Sequence, residues 1–162
     1  MARLYIAFDG DNDINYYYMM KAWKDNRNIP FTFYDSHEVR NIRIGSSEES
    51  IKVGLRERMK NADIFVLLVG NRTKFLYRYI RWEIELAKER HMPCIAVNLN
   101  GKRGADDELC PRVMLDTLAI HISFNMRILS YAVEHWPAFI KANPEVFGSY
   151  HYKSSVYEDL GL

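Results

Sequence analysis

Five short apolar runs of strand length alternate with segments of helical period. Nothing else in the chain constrains its fold as strongly, because that rhythm leads to a parallel sheet covered by helices on both faces. The strand-like runs are Leu4 to Phe8, Phe31 to Tyr34, Ile64 to Val69, Cys94 to Leu99 and Ala119 to Phe124. The first intervening helix is expected from about Asp13 to Asp25, and its Tyr16-Tyr17-Tyr18-Met19-Met20 run must leave some large side chains outside the core. The second begins at a capping box, Ser46 with Glu49, ahead of Ile51, Leu55 and Met59 on one face. The third is expected from Thr73, as N-cap, to Arg90, with Leu76, Ile80, Ile84 and Ala87 as its core stripe. The last carries Ile128, Leu129, Ala132, Val133 and Trp136 in phase and is expected to stop at Pro137.

At 162 residues the chain has the length of one domain. Residues 1–140 carry the alternating pattern. Residues 141–162, with Pro144, Gly148 and Gly161 among tyrosines and serines, are expected to form a C-terminal extension packed on the domain or trailing from it. Two connections look irregular, Asp35 to Gly45 and Gly101 to Pro111, and loops approaching about 12 residues tend to be functional or disordered.

The 22 basic residues nearly cancel the 21 acidic ones, so the chain lacks the electrostatic footprint of a nucleic-acid or anionic-membrane binder. Cys94 and Cys110 provide neither a disulfide framework nor a zinc-ligand spacing. No stretch approaches the roughly 20 apolar residues of a membrane span, and the N-terminus shows no secretory leader pattern. The expectation is a soluble, cytoplasmic protein that recognises its ligand at a local site.

In open parallel sheets ligands bind beyond the carboxyl ends of the strands, where strand order reverses. That rule nominates the Asp9-Gly10-Asp11-Asn12-Asp13 turn, the Asp35-Ser36-His37 turn and the start of the third helix after Gly70. The acidic turn can be a solvated turn in which Asp13 caps the first helix. It is not an EF-hand, since Ile14 and Met20 occupy the places of the required Gly and Glu. Gly-rich dinucleotide spacing is absent, and Gly70 stands where a receiver domain needs an aspartate. Ile6-Ala7-Phe8-Asp9-Gly10-Asp11 resembles the nucleophile turn of haloacid dehalogenase-type phosphatases, a resemblance that implies Mg²⁺ held by Asp9 and Asp11 and a later acidic pair at Asp106-Asp107.

The third helix gives a sharper signal. At about 100° per residue, Glu83 falls within roughly 55° of the centre of the apolar stripe, whereas Glu85 points away. A carboxylate on a buried face is costly unless it is paired, hydrogen-bonded or functional. The structural alternative is an ion pair with Arg78, Arg90 or a basic residue of a neighbouring helix.

From Leu4 to Phe124 the ordered motifs Tyr5-Ile-Ala-Phe-Asp, Phe33-Tyr-Asp-Ser-His, Gly45-Ser-Ser, Ala62-Asp-Ile-Phe-Val-Leu-Leu-Val-Gly and Tyr79-Ile-Arg-Trp-Glu-Ile-Glu resemble TIR domains, especially the bacterial TIR-like proteins of Thoeris anti-phage systems. The resemblance implies a flavodoxin-like, three-layer α/β fold with five parallel strands in the order 2-1-3-4-5. It implies that Glu83 is the glutamate that acts on NAD⁺ in catalytic members. The family tryptophan four residues earlier is Tyr79 here, which still offers an aromatic face.

A fixed carboxylate beside the ribose favours the oxocarbenium-like transition state in which nicotinamide departs. That chemistry requires no metal, and NAD⁺ is substrate, not cofactor. Phe8, Asp9, Asp35, Ser36, Ser46 and Ser47 are expected to line the rest of the cleft, with N–H groups near Ser46 to Glu48 able to receive a phosphate. His37 reads as a solvated loop residue. The products implied are ADP-ribose, cyclised isomers or conjugates that signal to a separate effector protein. A homo-oligomer is also implied, its copies meeting head to tail through the Asp35 to Gly45 loop. A non-catalytic TIR-like interaction module is the alternative, with Glu83 then structural.

Overall fold

In the computed structural model, residues 1–23, 25–26, 28–35 and 47–162 are described, with Tyr34 and Asp35 described by backbone alone. The expected rhythm is present: β1 (Ala2–Ala7), α1 (Ile14–Trp23), β2 (Phe31–Asp35), α2 (Glu48–Met59), β3 (Ile64–Val69), α3 (Tyr79–Glu89), β4 (Cys94–Asn98), α4 (Arg112–Leu115), β5 (Ala119–Ser123), α5 (Met126–Ala142), β6 (Ser149–His151) and α6 (Ser154–Asp159). The sheet is parallel throughout, in the order β2-β1-β3-β4-β5-β6. It is a flavodoxin-like α/β fold with six strands where five were expected.

Strand alternation sorts the core into two layers. Leu4, Ile6 and Phe8 pack with Tyr17 and Met20 of α1 and with Ile128, Leu129, Ala132, Val133 and Trp136 of α5. Tyr5, Ala7, Phe65, Leu67 and Val69 pack on the opposite face with Ile51, Leu55 and Met59 of α2, Ile80, Ile84 and Ala87 of α3, and Met114 of α4. Every residue of β3 and β4 is buried, as strands covered on both faces require. Tyr18 and Met19 of α1 remain exposed, the cost of its aromatic run.

Four expectations need correction. The sixth strand comes from the C-terminal segment: β6 pairs with β5 from Ala119↔Ser149 to His121↔His151, and Tyr157 of α6 is fully buried, its hydroxyl accepting from the Ser123 N–H at 3.3 Å. Pro137 lies inside α5 and does not end it. The helix continues because Trp136 and Phe139 both pack against Tyr150 of β6, contacts that offset the hydrogen bond a proline removes. The cap of α2 is Ser47, whose Oγ accepts from the Ser50 N–H at 3.2 Å, one residue later than expected. Finally, α3 starts at Tyr79, after a single 3₁₀ turn at Thr73–Phe75. Thr73 does not cap α3, because its buried hydroxyl accepts from the Gly70 N–H at 2.9 Å and closes the end of β3.

Among the described residues, no helix is long and apolar enough to cross a membrane.

Candidate active site

Glu83 sits on the second turn of α3, between the buried Ile80, Ile84 and Ala87, and is itself only 6% exposed. Tyr5 points toward it from the middle of β1, because alternation puts Tyr5 on the face that α2 and α3 cover. The Tyr5 ring lies beside Phe65, centroids 6.0 Å apart, and its hydroxyl donates to Glu83 Oε2 at 2.7 Å. A buried hydrogen bond is costly to leave unmade, and this one fixes where the Glu83 carboxyl points. Glu85 faces outward, as its helical phase requires, and pairs with Arg81 at 2.8 Å.

Tyr79, one turn before Glu83, opens α3 at 45% exposure, with its ring edge-on to Trp82 at 5.6 Å. Phe8 turns away from this face, stacked on Tyr17 at 4.8 Å within the layer under α1 and α5. The structure therefore puts Glu83 and Phe8 on opposite sides of the sheet. The backbone of Asp35 pairs beside Ile6 at the end of β2. Ser36, His37 and Ser46 lie outside the described residues, as does most of the Asp35 to Gly45 loop. Ser47 is spent on capping α2, and Glu48 and Glu49 already place carboxylates in the first turn, where a phosphate would otherwise meet bare N–H groups.

The acidic turn is held by its own hydrogen bonds, with Asp11 and Asn12 at the surface. Asp9 is buried; its Oδ1 accepts from the N–H groups of Asp11 and Asn12, and its Oδ2 from the Asn12 amide at 2.6 Å. Asp106 is equally committed. Burial alone would raise its pKa, but the Leu109 and Glu108 N–H groups, Asn100 and Lys102 outweigh it and hold the carboxyl below its usual range. Asp9 and Asp106 are thus each engaged in shaping a loop, whereas Asp11 and Asp107, the other two carboxylates of the phosphatase resemblance, are exposed. Among the described residues no cluster of three or more His, Cys, Asp or Glu is arranged to hold a metal ion.

Two buried groups were not singled out from the sequence for what they do. Asp13 is 7% exposed and makes no side-chain cap to α1; its Oδ2 is buried without a hydrogen-bond partner. Burial, reinforced by Asp9, pushes its pKa up to about 6. His121 of β5 is fully buried with both ring nitrogens unpartnered, and burial pushes its pKa down to about 4 against the opposing pull of Asp107. Tyr5, too, was legible only as part of a motif. Its signal was a phenol at an inward-facing position of the apolar run from Leu4 to Phe8.

Set beside known proteins, the chain matches the family model for the TIR-like domain of the Thoeris protein ThsB over residues 5–104. No curated protein matches it.

Proposed function

The chain belongs to the TIR-like domain family of the Thoeris protein ThsB, and from that premise we propose that it cleaves the nicotinamide–ribose bond of NAD⁺ with Glu83 as the catalytic residue. Membership in that family supports a TIR-domain role in defence. The observation that carries the catalytic reading is the buried Glu83 carboxylate, oriented by the Tyr5 hydroxyl at 2.7 Å.

As nicotinamide leaves, positive charge grows on the ribose, and a preoriented carboxylate stabilises that state more than the ground state. Tyr5 acts as the positioning residue. Tyr79, half-exposed one turn away, supplies the aromatic wall expected beside the ribose. Asp9, Asp35, Ser36, Ser46 and Ser47 complete the proposed cleft, and Phe8 supports it from beneath the sheet. The proposed product is an ADP-ribose derivative that signals to a separate effector, and a second copy of the chain supplies the wall for the adenosine half.

Incubating the protein with NAD⁺ and separating the products chromatographically tests this reading. Release of nicotinamide is expected, and Glu83→Gln should lower it by roughly 10²-fold or more while Glu85→Gln leaves it intact. Retained turnover in Glu83→Gln would sink the assignment. Specific activity should rise with protein concentration, since competence depends on self-assembly. No turnover at any concentration would favour the interaction module.

A further inference from the structure

Between the turn that leads into α3 and the short α4, the surface opens into a groove of about 480 Å³. Ile80 of α3 with Val113 and Leu115 of α4 form its apolar floor, and Phe75 and Tyr77 stand on its rim at 59% and 69% exposure. Two open rings beside an apolar floor make a contiguous patch, the kind of surface that marks an interaction site. Glu83 does not line it.

The charges on the rim decide what fits. Its cations are already engaged: Lys74 Nζ donates to the Glu108 carbonyl at 2.6 Å, Arg81 pairs with Glu85 at 2.8 Å, and Arg112 pairs with Asp116 at 3.4 Å. Its anions are not. Asp107 and Glu108 are exposed, and their carboxylates make no hydrogen bond or ion pair among the described residues. His121 bears on Asp107 from the core, but burial pushes its pKa down to about 4, so at pH 7 it is neutral and leaves that charge uncompensated. The rings differ in the same sense. Phe75 already has Arg72 and Lys74 at 5.6 and 5.4 Å from its centroid, whereas Tyr77 makes no ring contact among the described residues and offers its face to a cation.

We propose that this groove docks a partner protein through a basic-apolar segment, whose aliphatic side chain enters the floor of Ile80, Val113 and Leu115 while flanking arginines or lysines reach Asp107, Glu108 and the Tyr77 ring. Basic side chains suit both parts of the surface, because their methylene stems lie on apolar groups while the charged heads meet the rim. The docking surface stands whether or not Glu83 cleaves NAD⁺.

Fluorescence anisotropy with a fluorescein-labelled decapeptide of alternating arginine and leucine tests the proposal, beside one with glutamate in place of arginine and one with serine in place of leucine. The arginine–leucine peptide should bind saturably and lose affinity as salt is raised, and the other two should bind about tenfold more weakly or not at all. Asp107→Asn combined with Glu108→Gln should weaken binding about tenfold, and Tyr77→Ala about threefold. These positions are exposed, so the changes do not threaten folding. Glu134→Gln, an exposed carboxylate removed on α5, should change nothing. Absence of saturable binding, equal or tighter binding of the glutamate or serine peptide, or groove variants no weaker than Glu134→Gln would overturn the assignment.

Discussion

The hydroxyl of Tyr5 and Oε2 of Glu83 stand 2.7 Å apart, so the middle of β1 and the second turn of α3 are joined by a buried hydrogen bond between residues 78 positions apart in the chain. Tyr5→Phe removes that donor and keeps the ring against Phe65. Turnover of NAD⁺ should fall about tenfold in kcat, equivalent to about 1.4 kcal/mol, with KM little changed. Melting measured beside the kinetics separates the roles. A lowered Tm with unchanged kcat would make the bond purely structural.

Asp13 gives the protein a pH dependence of identifiable sign. Its folded pKa of about 6 lies above the ordinary 3.8, so the folded state holds more protons than the unfolded state between about pH 4 and 6. Stability contributed by this group therefore falls as pH rises through that window and stays low above it. Asp13→Asn should stabilise the protein by about 1–3 kcal/mol at pH 8 and by nothing near pH 4, as read from denaturant unfolding at both values.

His121 works in the opposite direction. Its folded pKa of about 4 lies below the ordinary 6.5, so the neutral buried ring is favourable at neutral pH and that contribution is lost as pH falls from about 6.5 to 4. The titratable groups bearing on it are Asp107 and His151, the latter opposite it in β6. His121→Leu should remove about 3 kcal/mol of acid sensitivity over that range. Because Asp13 and His121 offset each other in the wild-type chain, the acid limb should steepen in Asp13→Asn and flatten in His121→Leu. Parallel curves would refute both assignments.

The thiols should be inert. Burial pushes both Cys94 and Cys110 up to about 12, so neither supplies a thiolate at neutral pH. Alkylation followed by mass spectrometry should show no labelling of the native protein at pH 7.5 and two labelled sites after denaturation. Rapid native labelling at Cys110 would show that the loop around Asp106 opens.

The sheet was legible in the sequence because β3 and β4 are uninterrupted apolar runs and the stripe of α3 is strongly periodic. Glu83 could be placed on the buried face by phase alone. What escaped was decided by contacts between distant segments. β6 is Ser149-Tyr150-His151, too short and polar to show an alternating pattern, and it becomes a strand because Tyr150 packs on Trp136 and Phe139. Pro137 carries a local stop signal that the same packing overrides. Asp13 looked like a cap because Asp before a helix usually is one. Its burial follows from Gly70, nearly sixty residues away, leaving the space that the carboxylate occupies.

The C-terminal segment also decides where this protein can stick to itself. Without β6, the buried neighbour β5 would present an open row of amides and carbonyls, a template onto which a strand from another chain could add. Three residues, two of them exposed and polar, terminate that edge. Deleting residues 144–162 should thus convert a discrete protein into one that precipitates through cross-chain strand pairing, detectable as thioflavin-positive material. At the β5 side of the sheet, ordered assembly is thereby left to helices and loops, and β2 is the longer of the two edge strands.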